Sequence, residues 1–262
     1  MAAATVPHLA GLAPAPISAA TTPTGDTDTP TYLHRKSEDR GRADHGWLKA
    51  THSFSFGNYY DPKIMGFRAL RVINEDRIAG GGGFPTHPHD NMEIVTYILD
   101  GALEHRDSIG SGAVIRPGEA QRMSAGTGIR HSEFNASQTD PVHLLQIWLL
   151  PNSQGIAPGY EQKTLPQVAN GVSRLDVIAA PQAPESAVTI HSDASITRAV
   201  LAPGGTLSAP VSRGHAWVQV ARGSLVVDGH ALNQGDGLAV KDAAALALSS
   251  AEGAEALVFD LA

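Results

Sequence analysis

The 262-residue chain contains no cysteine. This absence excludes disulfides, thiolate zinc sites, iron–sulfur clusters and a thiol nucleophile, so any metal must be held by nitrogen and oxygen donors. It also fits a cytoplasmic location. No uninterrupted apolar run approaches the ~18 residues of a membrane helix, and a membrane role is not expected. Basic clusters are missing too. The formal net charge of −7 would repel a phosphate backbone, and no Lys/Arg run offsets it, so direct nucleic-acid binding is disfavoured. Between Met1 and Pro30 there is neither Lys nor Arg, and no helical or strand period. An export signal would want a positive start and an apolar centre unbroken by Pro7, Pro14 and Pro16, so residues 1–30 are expected to be a flexible tail.

What the chain does have is histidine in couplets. His87-Pro88-His89 and His131-Ser132-Glu133 sit in stretches with strand character. Alternate side chains of a strand share a face, so each couplet presents two donors on one side, and two such strands can converge on one ion. Three imidazoles and a carboxylate suit iron, manganese, nickel, cobalt or zinc, and leave coordination positions open for chemistry. Glu93 is a rival to Glu133, because it lies an even number of positions after His89 and an unbroken strand would bring it to the same face; a bulge near Pro88 would turn it away. His105 reads as a supporting or core residue. The isolated His8, His34, His45, His143, His191, His215 and His230 read as ordinary satisfied histidines.

The four glycines Gly80 to Gly83 precede the first couplet without a phosphate-loop continuation, so they are expected to let backbone pass close to the site. His52, Phe54 and Phe56 alternate with Ser53 and Ser55 as one face of a strand. Strands and Gly turns then follow one another to the C-terminus. Ile98 to Leu103 matches Val220 to Leu225, and Pro117-Gly118-Glu119 echoes Gln234-Gly235-Asp236, a weak repeat that suggests one β-barrel used twice. The second copy lacks both couplets and is not expected to bind metal in the same way. Expected boundaries are 31–155 for the metal-binding domain and 156–262 for its degenerate partner.

Longer motifs carry a resemblance. Thr86-His87-Pro88-His89, Met92-Glu93-Ile94-Val95-Thr96-Tyr97, Glu104-His105-Arg106-Asp107-Ser108 and the block from Pro117 to Glu133 resemble the pirin branch of the cupin superfamily, closest in character to bacterial pirin-like quercetin dioxygenases. Asn58-Tyr59-Tyr60-Asp61-Pro62, Gln146-Ile147-Trp148 and Pro158-Gly159-Tyr160-Glu161-Gln162 extend the likeness over nearly everything after Thr31. The resemblance implies an all-β bicupin with a metal, iron(II) foremost, held by His87, His89, His131 and Glu133. The general cupin pattern would use the Glu93 position instead. It further implies a dioxygenase that opens a flavonol such as quercetin with dioxygen and releases carbon monoxide. Glu133 would act as ligand and base, and Phe54, Phe56 and Met65 would be wall candidates. Another enediol or phenol could replace quercetin. A non-enzymatic alternative is a metal- and redox-responsive protein that binds a regulatory partner. The chain is expected to be a monomer or weak oligomer.

Overall fold

The computed structural model describes residues 29–262, so most of the expected tail lies outside the described residues. Apart from the short 3-10 turn Ser37–Asp39, every regular element of the described residues is a strand. The first barrel is two sheets face to face. The larger runs Gly159–Thr164, Glu119–Ser124, Glu93–Asp100, Val142–Leu149, Leu70–Ile78, Leu48–His52, Gly41–Asp44; the smaller runs Gly83–His89, Ile129–Asn135, Leu103–Asp107, Gly112–Ile115. The second barrel repeats this plan in one ten-stranded network, with Gly205–Pro210 pairing Ala245–Ser250 on its smaller face.

The weak repeat becomes concrete at the barrel corners. Gly101 has φ +78° and Gly223 has φ +72°, and each links an aliphatic strand to its continuation in the opposite sheet. A Cβ on Gly101 would lie 2.8 Å from the Pro141 carbonyl oxygen, and one on Gly223 would lie 2.3 Å from that of Gly253. Both corners therefore need glycine for conformation and for room. In the second copy the corner is a bulge inside the single strand His215–Val227 and not a break between two strands.

Strand pairing also crosses the boundary expected at 155/156. Thr31–Arg35 pairs with Gly237–Lys241 of the second barrel, while Gly159–Thr164 pairs with Glu119–Ser124 of the first. Each half thus lends its leading strand to the other. Between the barrels lies one apolar core, in which Leu70, Val95, Tyr97, Leu145 and Ile147 meet Ile178, Ile196, Trp217, Leu257 and Phe259. The second barrel is filled by aliphatic side chains such as Val218, Val220, Leu232, Leu238, Leu246 and Leu248.

Candidate metal centre

The interior of the first barrel is layered. Ile78, Ile98, Leu103, Ile115 and Leu144 close one end, and Ile94, Met123, Ala125 and Ile129 line the other. The buried polar residues Thr96, Gln121, Glu133, Gln146, His105 and His131 belong to this same barrel. The register sets His131 opposite both His87 and Asp107, on strands flanking Ile129–Asn135. A register shift in the same ladder, between the His131–His87 and Glu133–Phe84 pairs, puts the bulge just before the first couplet, in the edge strand Gly83–His89. Gly83 lets this happen, since a Cβ there would sit 2.5 Å from the Glu133 carbonyl oxygen.

The two couplets converge. Ring centroids are 4.8 Å apart for His87–His89, 4.4 Å for His87–His131 and 4.8 Å for His89–His131. One donor atom from each ring lies within 4.8 Å of the others. Glu133 joins a second group, with His105 and His131, by the same measure, so His131 is common to both. The carboxylate thus adjoins the histidine trio through His131, and Gln146 Nε2 donates to its Oε1 at 2.8 Å.

Burial holds two of the imidazoles, His89 and His131, in the neutral form that binds metal. His87 Nδ1 lies 2.9 Å from the Pro85 carbonyl, which only accepts, so Nδ1 is the donor and Nε2 is the nitrogen left free for a ligand. Burial pushes His89 down to about 3, helped by His131 and His87 and opposed by Glu133. Burial likewise pushes His131 down to about 2, with His87 and His105 adding to it. His131 Nε2 is buried with no hydrogen-bond partner. A buried nitrogen left bare beside two further imidazoles fits a bound cation, and the nitrogen–oxygen donor set suits a divalent transition metal.

Glu93 faces the other way. Its carboxylate is buried, and Oε2 accepts the backbone N–H of His191 at 2.9 Å, from the second barrel. The even spacing from His89 does not carry over, because the chain passes from the smaller sheet to the larger through Asn91 at φ +45°. His191 is a satisfied histidine, with partners distant in sequence: its Nδ1 is 3.3 Å from Ser124 Oγ and 3.4 Å from Glu93 Oε2. The single aromatic face expected for His52, Phe54 and Phe56 is split, since the strand ends at His52. Phe54 enters the core between the barrels against Trp217, while Phe56 lies 5.4 Å from Trp148, whose ring is 4.9 Å from His89. Met65 is half-buried. Gln146, Trp148 and Asp107 were legible only as parts of the motifs that carry the resemblance, without a role at the site; a glutamine and a tryptophan in the mostly aliphatic strand Val142–Leu149 were the available signal for two of them. A concavity of about 470 Å³ lies on the flank of the 103–115 hairpin, lined by Glu104 to Asp107 and Gly110 to Val114, and not by His87 or His89.

Comparison with known proteins agrees with this architecture. Residues 34–149 match the Pirin family and residues 177–261 the quercetinase C-terminal cupin domain. The chain is 45% identical over 231 residues to a quercetin 2,3-dioxygenase of Escherichia coli K12, covering 88% of this chain and 98% of that one. It is 40% identical to a pirin-like protein of Caulobacter vibrioides, covering 88% and 100% respectively. The crystal structure of the bacterial pirin YhhW from Escherichia coli in complex with nickel(II) superposes with a TM-score of 0.82 at 44% identity, over 88% of this chain and 99% of that one. With two cupin barrels and this degree of identity along nearly the full length of its relatives, the chain belongs to the pirin family of the cupin superfamily.

Proposed function

We propose that this chain is a metal-dependent dioxygenase that cleaves flavonols such as quercetin, with His87, His89, His131 and Glu133 holding one divalent ion, iron(II) foremost. The observation that carries this is the convergence of three imidazoles, with Glu133 beside His131, in a chain 45% identical to a protein named for that reaction. When bound, the ion supplies Lewis acidity and lowers the pKa of a hydroxyl it coordinates. The protein's own contribution is proton handling and shape. Gln146 Nε2–H fixes Glu133 Oε1, which leaves the second carboxylate oxygen to accept the substrate's hydroxyl proton. General-base assistance of this kind contributes about 10²–10⁴-fold. Beside His89, Trp148 and Phe56 meet edge to face at 88°, an aromatic wall suited to a flat phenolic ring.

The test is dioxygen uptake and carbon monoxide release with quercetin, by protein loaded with iron(II) or nickel(II). Uptake should depend on the metal and be lost in His131→Ala. Absence of turnover at every metal loading, in protein that does bind the ion, would leave partner binding as the better account.

A further inference from the structure

Behind His131 runs a buried chain of hydrogen-bonding groups that the proposed reaction does not use. His131 Nδ1 lies 3.4 Å from His105 Nδ1, and His105 Nε2 lies 3.1 Å from Asp107 Oδ2. The side chains of His105 and Asp107 are fully buried. The other oxygen of Asp107 accepts two backbone N–H groups of its own turn, from Ile109 at 3.1 Å and Ser111 at 2.9 Å. The His105 ring is further held by Tyr160, with centroids 4.8 Å apart.

With Asp107 ionised and His105 neutral, the order of donors along this chain follows from its far end. An ionised carboxylate only accepts, so His105 Nε2 carries a proton. A neutral imidazole has one donor and one acceptor, so His105 Nδ1 is the acceptor, and the proton between the two rings belongs to His131 Nδ1. The lone pair of His131 is then at Nε2, the nitrogen that is buried and unpartnered. We infer that Asp107 and His105 are positioning residues that fix the tautomer of His131 by relay, so that its Nε2 lone pair is presented beside His87 and His89. This rests on the metal reading above for its purpose, but the tautomer itself is a property of the metal-free protein.

The substitution Asp107→Asn separates this relay from mere packing. The two backbone N–H groups claim the amide oxygen, so the amide nitrogen must face His105 Nε2 and donate to it. His105 then donates from Nδ1, and His131 is driven to carry its proton on Nε2, where no lone pair remains. The shape is unchanged, only the direction of the chain reverses.

The experiment is nitrogen–proton correlation NMR on ¹⁵N-histidine-labelled, metal-free protein, with the His131 signals assigned by difference from His131→Gln, and nickel(II) affinity measured in parallel by competition with a chelator. Wild type should show His131 protonated at Nδ1. Asp107→Asn should show it protonated at Nε2, with affinity weaker by about 10–100-fold, the usual consequence of losing a partner of a metal ligand. In His105→Gln the side-chain oxygen can accept from His131 Nδ1–H, so the Asp107→Asn change should no longer move the tautomer in that background. Finding Nε2–H on His131 in wild type, or no tautomer change in folded Asp107→Asn, overturns the relay. Should Asp107→Asn not fold, the wild-type spectrum alone still decides. Wild-type protein that shows the Nδ1–H tautomer yet takes up no nickel would instead defeat the metal reading and leave the relay standing.

Discussion

Exchanging the two rival glutamates separately, Glu93→Gln and Glu133→Gln, tests the orientation of the site most directly. Glu93 accepts a backbone N–H from the second barrel at 2.9 Å. A hydrogen bond to a charged group contributes ~1.5–3 kcal/mol and a neutral one ~0.5–1.5, so with the amide oxygen still accepting, Glu93→Gln should cost about 1 kcal/mol of stability. It should not change metal affinity, because the side chain serves the contact between the barrels. Glu133→Gln should do the reverse. Its amide oxygen can still take the Gln146 N–H, so apo stability should change little. Metal affinity should fall by at least about 100-fold, the upper end of what losing a mere partner of a ligand costs. Urea denaturation of metal-free protein and chelator-competition titration give the two readouts. If Glu93→Gln empties the site while Glu133→Gln retains the ion, the reasoning from sheet faces is wrong.

Burial alone would raise the Glu75 carboxyl, but hydrogen bonds from His143 and Arg40 and the Arg40 charge bring it from 4.5 down to about 2. The stability it contributes is therefore fully present above pH 4.5 and lost as pH falls through about 2; Glu75→Gln should remove that acid-dependent component, on the order of 3 kcal/mol, in denaturation curves taken across this range. Asp76 is the opposite case, pushed from 3.8 up to about 8 by burial and then by the Glu133 and Glu75 charges. Its contribution is present below pH 3.8 and lost as pH rises through about 8, so Asp76→Asn should be more stable than wild type at pH 9 and lose that advantage by pH 4. Phe259 is fully buried in the core shared by both barrels, so Phe259→Ala should cost ~3–5 kcal/mol and lower a single common unfolding transition, which calorimetry would reveal as one peak.

Much of the fold was legible because its signals are local. Strand parity put each couplet on one face, and the glycine corners at Gly101 and Gly223 marked the same step of a repeated barrel. What could not be read was pairing at long range. The strands Thr31–Arg35 and Gly159–Thr164 carry nothing in their own residues to say that each completes the other half's sheet. The partner of His191 was hidden for the same reason, since Glu93 is 98 residues away. The rule that failed at His52, Phe54 and Phe56 was strand parity itself, applied past the point where the strand stops.

The Glu93 ambiguity shows why parity is informative only within one sheet. His89 and Glu93 are separated by a crossing between sheets, so counting positions across it has no geometric meaning, whereas His131 and Glu133 belong to one strand and keep their common face. The same strand hydrogen-bonds on one side to the His87 strand and on the other to the strand of His105 and Asp107. Ile129–Asn135 is thus the one element through which the donors, the carboxylate and the residues supporting His131 are all brought into register. In the second barrel the corresponding pair of strands carries Leu207 and Ala209 opposite Leu248 and Leu246, in an antiparallel ladder without the bulge and with no histidine or carboxylate. The barrel can therefore form on apolar filling alone. The couplets in the first copy, together with its buried polar residues, are an addition that folding does not demand, and they are the part whose physical explanation must come from chemistry.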